Sequence, residues 1–200
     1  MITTILSMSI FSFVMSFSPG PVNLISLSIG LNQGFKTALP FVSGATIGFT
    51  ILLFCLGLGL GSFTQQFPVV MNLLSIVGAT FIMYMGYKMT GSKSALKLEE
   101  GDFPTFLDGV LLQLLNPKAW AACLAGVAAF GASDNFYKLS LFTTIYFVIC
   151  YFGIGSWAFI GGKIFQRLNS PSGLIMFNKV MGVGLILVGL FLLLQRFFIA

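Results

Sequence analysis

Six long apolar stretches, at residues 4–31, 38–63, 69–87, 106–131, 139–162 and 176–197, alternate with short polar segments. An α-helix needs about 20 consecutive apolar residues to cross the hydrocarbon core of a bilayer, and each stretch comes close to that length or exceeds it. Charge is almost confined to the intervals: residues 1–35, 37–87 and 139–162 carry none. Gly34 and Lys36 mark the first turn, and Gln65, Gln66 and Pro68 the second. Lys88 to Pro104 holds Lys88, Lys93, Lys97, Glu99, Glu100 and Asp102, and is the only substantial hydrophilic segment. Asp134–Lys138 and Lys163–Gly173 make the last two connections. The pattern predicts an all-α integral membrane protein with about six transmembrane helices. A soluble bundle would need a polar shell, with roughly a quarter of its residues charged. Here 8% are charged, 57% are hydrophobic and the mean hydropathy is +1.00.

The hydrophilic segment divides the chain almost in half, three spans to a side. The expected organisation is a first three-helix repeat over 1–87, a cytoplasmic linker over 88–105 and a second three-helix repeat over 106–200. With three spans per half, the second half enters the bilayer upside down relative to the first. A shift of 98 residues lays Ser18-Pro19 on Asn116-Pro117, Lys36 on Asp134 and Phe63 on Gly161, so breaks and boundaries agree while side chains mostly do not. The second span contains Gly44-x-x-x-Gly48 and Gly57-x-x-x-Gly61. Small residues one turn apart let helices approach closely in lipid, so these glycines read as packing.

The net charge of +5 changes the picture only as topology. There is no basic arm and no interleaving of aromatic and basic residues of the kind that holds phosphates, so a nucleic-acid partner is not expected. Alternate loops carry Lys36, then Lys88, Lys93 and Lys97, then Lys163, Arg167 and Lys179, against Lys138 and Arg196 on the other side. The positive-inside rule makes the richer side cytoplasmic, so both termini face out. Tyr87 beside Lys88 and Tyr137 beside Lys138 fit aromatic anchors at the two interfaces. Met1 to Phe17 lacks a basic n-region and reads as the first half of a span rather than a cleaved signal. Cys55, Cys123 and Cys150 lie in apolar runs without a C-x-x-C pair and read as small hydrophobes. Histidine is absent, which removes the commonest general base and metal ligand; no metal site or cofactor is expected.

Two spans are interrupted near their centres. Ser18-Pro19-Gly20-Pro21 sits in the first and Asn116-Pro117-Lys118 in the fourth. Proline removes a backbone donor and clashes with the preceding turn. Serine or asparagine followed by proline also starts a helix, as N-cap and first residue, so each motif reads as the end of one half-helix and the start of another. Freed backbone groups in hydrocarbon cost several kcal/mol each unless protein, water or ligand satisfies them. Interrupted spans at matching places in inverted halves point to a transporter's binding site. Lys118 is the one charged residue deep within a span. A charge at that depth costs at least about 2.5–3.5 kcal/mol on insertion scales and is functional by default. Its expected partners are carbonyls, Asn116, Asn23 or a substrate carboxylate. Asp108 lies ten residues earlier, about 15 Å along a helix, too far to pair with it on the same helix.

Pro19-Gly20-Pro21-x-Asn23 and Leu115-Asn116-Pro117-Lys118-Ala119 resemble the paired signatures of the lysine-exporter (LysE/RhtB) family, over essentially the whole chain. The run Gly162-Lys163-Ile164-Phe165-Gln166-Arg167-Leu168 is similar to its cysteine/O-acetylserine exporter subgroup. The chain departs from the family after Asn-Pro-Lys, reading Cys123-Leu124-Ala125-Gly126-Val127 in place of an aromatic and proline-rich continuation. The resemblance implies efflux of amino acids across the bacterial inner membrane, driven by the proton gradient, and a transporter rather than an enzyme. A zwitterion needs a cation for its carboxylate, which Lys118 and half-helix N-termini supply. It needs acceptors for its ammonium, which free carbonyls with Asn23, Gln113 and Asn116 supply. No carboxylate lies deep in a span to receive a cationic side chain, so a small neutral amino acid fits better than lysine or arginine. The expected substrate-binding set is Pro19, Gly20, Pro21, Asn23, Gln113, Asn116, Pro117 and Lys118, with Lys118 and Asp108 as coupling candidates. Two rival classes are a membrane thiol oxidoreductase and a soft-metal exporter using the three cysteines. Protons and membrane lipid complete the expected partners; the oligomeric state, a homo-oligomer included, is left open.

Overall fold

In a computed structural model the described residues are 2–60, isolated positions between 76 and 90, 104–133, 135–167 and 171–198. Among them the regular structure is entirely helical: α1 (Ile2–Phe17), α2 (Pro21–Gln33), α3 (Phe35–Cys55, continued by a π-helical turn, Leu56–Leu60), α4 (Phe106–Leu114), α5 (Pro117–Phe130), α6 (Phe136–Arg167) and α7 (Pro171–Phe198). Each expected interruption is a true break. α1 and α2 are bent by 60° across Ser18-Pro19-Gly20, and α4 and α5 by 62° across Leu115-Asn116. Each pair together has the length and hydropathy of one membrane span, while 35–59 and 136–163 qualify unaided. The 69–87 span and the hydrophilic 88–104 segment fall mostly outside the described residues; the described positions from Ile76 to Thr90 are helical.

Two boundaries differ from the sequence reading. α6 runs on to Arg167 and α7 begins at Pro171, so the Lys163–Gly173 connection is shorter than expected. Proline at a first helical position costs nothing, because that amide has no intrahelical partner, and the polar residues before Met176 continue the helix without needing hydrocarbon around them. The first turn is as expected: Gly34 takes φ 88° between α2 and α3, a left-handed value that glycine adopts without strain.

Side-chain neighbours fix the directions of the helices. Phe35 packs edge-on against Phe159, and Phe54 against Phe136, so α3 and α6 run antiparallel. Phe11 meets Phe142 and Tyr146 while Ser16 and Phe17 meet Gly153, so α1 runs parallel to α6. Gly44 lies on the backbone of Phe106 and Gly48 on that of Val110, so α3 and α4 are parallel and in close contact. A side chain at Gly44 would fall on the Phe106 carbonyl, and one at Gly109 on that of Phe41. This is the close approach expected of small residues in lipid, where packing rather than the hydrophobic effect joins helices. Gly57 meets the side chain of Leu139; Gly61 lies outside the described residues. Gly30 and Gly161 let α2 and α6 pack backbone to backbone in the same way. The buried core runs through α1, α2, α3, α5 and α6, with Phe41, Phe142 and Tyr146 among its largest side chains. Lys118 of the second broken span reaches Ser18 of the first.

Candidate functional site

The second break is built as its sequence implies. Asn116 is the N-cap of α5, its side-chain oxygen accepting from the Lys118 amide at 3.1 Å, and Pro117 holds the first helical position. Its side-chain amide reaches Gln113 Oε1 at 3.4 Å, and both residues are buried. The first break is different. Ser18 does not cap α2: the N-cap is Gly20, with no side-chain cap, and Pro21 follows it at the first helical position. Ser18 lies two positions before that N-cap, and its hydroxyl turns back and donates to Met15 O at 3.0 Å.

The carbonyls freed by the breaks have partners. Asn23 Nδ2 donates to Ser16 O at 2.9 Å and Ser18 O at 2.8 Å, tying the start of α2 to the end of α1. The two tryptophans of the chain do matching work: Trp157 Nε1 donates to Phe17 O at 3.3 Å and Trp120 Nε1 to Leu114 O at 2.7 Å. Unpaired carbonyls cannot be left in hydrocarbon. At both breaks side chains supply the donors for carbonyls that the helices leave free.

Lys118 joins the two breaks. Its Nζ donates to Ser18 O at 2.9 Å, to Ser18 Oγ at 2.8 Å and to Pro19 O at 3.3 Å. It does not snorkel; it crosses from α5 to the end of α1. Of the partners expected from sequence the carbonyls are met, while Asn116 binds its amide and Asn23 holds the same Ser18 carbonyl. Gly20 makes the crossing possible, since a Cβ there would lie 3.1 Å from Nζ and 3.2 Å from Cδ of Lys118. The close approach that glycine permits is therefore that of the lysine.

Beside this bridge lies a cavity of about 40 Å³. Gly20, Asn23, Gln113, Asn116 and Lys118 line it, so five of the eight expected binding residues come together there. Pro19, Pro21 and Pro117 shape the breaks and do not line it. Asp108 is not at the cavity; it closes a capping box with Thr105 at the start of α4, its carboxylate accepting from the Thr105 amide at 2.7 Å and hydroxyl at 2.8 Å.

The rest of the wall includes Met15, Ser16, Phe49 and Tyr146, which sequence reasoning passed over, and Cys150, which it read as a small hydrophobe. Phe49 stacks on Tyr146 at 4.3 Å, and Tyr146 packs on Phe142 and Phe11, which in turn meet Phe130. This aromatic cluster fills the space between the cavity and the Lys138 end of the helices. The Ser16 hydroxyl is buried at the wall with no partner at ordinary hydrogen-bond geometry. Cys123 and Cys150 are buried as expected of small hydrophobes, but Cys150 also faces the cavity. All three cysteines are free, and among the described residues no three metal-ligating side chains come together.

The arrangement has relatives. The sequence profile of the LysE type translocator family matches residues 13–196. A cysteine/O-acetylserine efflux protein from Escherichia coli is 28% identical over 167 residues, 82% of this chain and 84% of that protein. The protein of the same name from Salmonella typhimurium is 30% identical over 86 residues, 42% of this chain. That second alignment spans only 44% of the length of the Salmonella relative. No solved structure matches. The family match takes in both breaks, the bridge between them and every helix around the cavity, and on that extent the chain is a member of the LysE type translocator family.

Proposed function

We propose that this protein exports small neutral amino acids or related metabolites, such as cysteine or O-acetylserine, from the cytoplasm across the bacterial inner membrane. The observation that carries the reading is the Lys118 bridge. One ammonium, half-buried between two broken helices and lining a cavity that also holds Asn23, Gln113 and Asn116, offers a charge for a carboxylate at the depth where secondary transporters bind substrate. Asn23, Gln113 and Asn116 supply the remaining polar contacts, and among the described residues no carboxylate lines the cavity to favour a cationic side chain.

The mechanism is alternating access about that site. The cavity is lined from both breaks, by Gly20 and Asn23 on one side of the repeat and Gln113, Asn116 and Lys118 on the other, so relative movement of the two halves reshapes it. Opening on the Lys36 side admits substrate, and parting of the aromatic cluster on the Lys138 side releases it. The helix directions support two inverted repeats, 1–87 and 106–200, joined by a cytoplasmic 88–105 linker. α1 runs parallel to α6, and α3 and α4 run opposite to both. Parallel α3 and α4 require the chain between them to return across the membrane, which supports a span at 69–87 and six in all. Lys36 and Lys163 then share the cytoplasmic side with both termini opposite. Efflux is coupled to protons. With Asp108 engaged in its capping box, Lys118 is the carrier the geometry favours.

Uptake of a panel of labelled amino acids into inverted membrane vesicles tests the reading. Cysteine, serine and O-acetylserine should accumulate and compete with one another, while lysine and arginine should not. Equal inhibition by lysine and by serine would overturn the neutral-substrate reading. The thiol-oxidoreductase and soft-metal alternatives draw no support from the cysteine geometry.

A further inference from the structure

Lys118 Nζ is held by oxygen atoms alone: the Ser18 carbonyl and hydroxyl and the Pro19 carbonyl. A primary ammonium has three protons to donate and no acceptor, so the three oxygens match it one for one. The cage is built independently of the lysine. Asn23 fixes the Ser18 carbonyl, and the Ser18 hydroxyl points its proton at Met15 O, which leaves its lone pairs to the ammonium. Lys118 and Gly20 both line the neighbouring cavity, so the cage opens onto its wall.

We propose that this oxygen cage is the binding site for the α-ammonium of the substrate, and that Lys118 is a resident ammonium which substrate displaces. The inference rests on the exporter reading above and adds the exchange. The α-ammonium of an amino acid presents the same three donors as Nζ, so it satisfies the cage equally well. Lys118, released, turns to the substrate's carboxylate. The zwitterion brings both charges, so neither ammonium is left buried without a partner, which would be costly. A carboxylic acid lacking the amine cannot fill the cage. An amine lacking the carboxylate leaves Lys118 stranded. A zwitterion alone completes the exchange.

Solid-state NMR of the wild-type protein in lipid bilayers reads the exchange directly, with nitrogen-15 at lysine Nζ and carbon-13 at serine carbonyls. Without ligand, dipolar coupling between Lys118 Nζ and the Ser18 carbonyl is expected, assigned by its loss in Ser18→Ala. Saturating O-acetyl-L-serine, labelled at its carboxylate, should abolish that coupling and replace it with coupling to the ligand. Persistence of the Ser18 coupling with transportable ligand bound overturns the proposal. A second arm uses Lys118→Ala, whose cage has lost its resident. Nitrogen-15 ethanolamine should couple to the Ser18 carbonyl in this variant and not in wild type. Absence of that coupling in the folded variant also overturns the cage; if the variant does not fold, the wild-type measurement decides. Should vesicles fail to transport O-acetylserine, the exporter reading fails, whereas the cage still stands or falls on ethanolamine.

Discussion

Lys118 carries a charge at the break of one apolar span and bonds it to oxygens at the break of another, Ser18 and Pro19. Replacing it with alanine removes an insertion cost of about 2.5–3.5 kcal/mol, so Lys118→Ala should reach the membrane at wild-type abundance and export nothing. Lys118→Arg should fail as well, because a planar guanidinium does not fit a cage shaped for a compact ammonium. Immunoblotting of membranes beside vesicle uptake checks both; transport by the alanine variant would make the lysine structural. On the cavity wall, Cys150→Leu adds bulk to a cavity of about 40 Å³ and should lower uptake at least tenfold with the Lys118 bridge intact. Unchanged uptake would place the substrate elsewhere. The two kinds of residue differ in how they read from sequence. Lys118, Asn116 and Asn23 stand out because polar groups in an apolar run need a reason. Tyr146, Cys150 and Phe49 are ordinary apolar-span residues. Which of them faces a cavity depends on how six helices pack, and one helix's pattern does not carry that.

At the scale of the helix, the breaks were legible because proline acts through local sterics that need no tertiary context. The partners of the freed carbonyls were not. Asn23 acts from within its own motif, but Trp157 and Lys118 reach across the fold from residues 140 and 100 positions away. The Ser18 expectation failed for a similar reason: Ser-Pro caps a helix only where the helix starts at that proline, and here Pro21 starts it. Restoring a continuous first span with Pro19→Ala and Pro21→Ala should raise thermal stability in detergent while eliminating transport. Adding Asn116→Ala should make residual activity no worse than the poorer parent, since residues serving one site couple and do not add. Multiplying losses would mean two independent kinks. Gly44→Leu tests the packing: its side chain would meet the Phe106 backbone, so α3 and α4 should part and the protein should lose stability before any effect on the site is seen. A wild-type melting temperature would contradict that contact.

For the whole molecule, the alternation of apolar and polar stretches was enough to give an all-helical membrane protein, because the bilayer leaves few solutions to a chain this apolar. Helix direction came from side-chain neighbours that no periodicity encodes. The proposed topology puts Gly34 in the cytoplasm and Asn135 in the periplasm. Reporter fusions at these two positions should give opposite signals, and the same signal from both would dismantle the inverted arrangement. A protonophore should abolish uptake into energised inverted vesicles if efflux is proton-coupled; undiminished uptake would rule that coupling out. The central claim, that amino acids leave the cell through the site where the two breaks meet, is tested most directly by one comparison. The initial rate of labelled O-acetyl-L-serine uptake into inverted vesicles is measured for wild type and Lys118→Ala at equal membrane abundance. Saturable uptake by wild type and background uptake by the variant is the predicted result; equal rates from the two would contradict it.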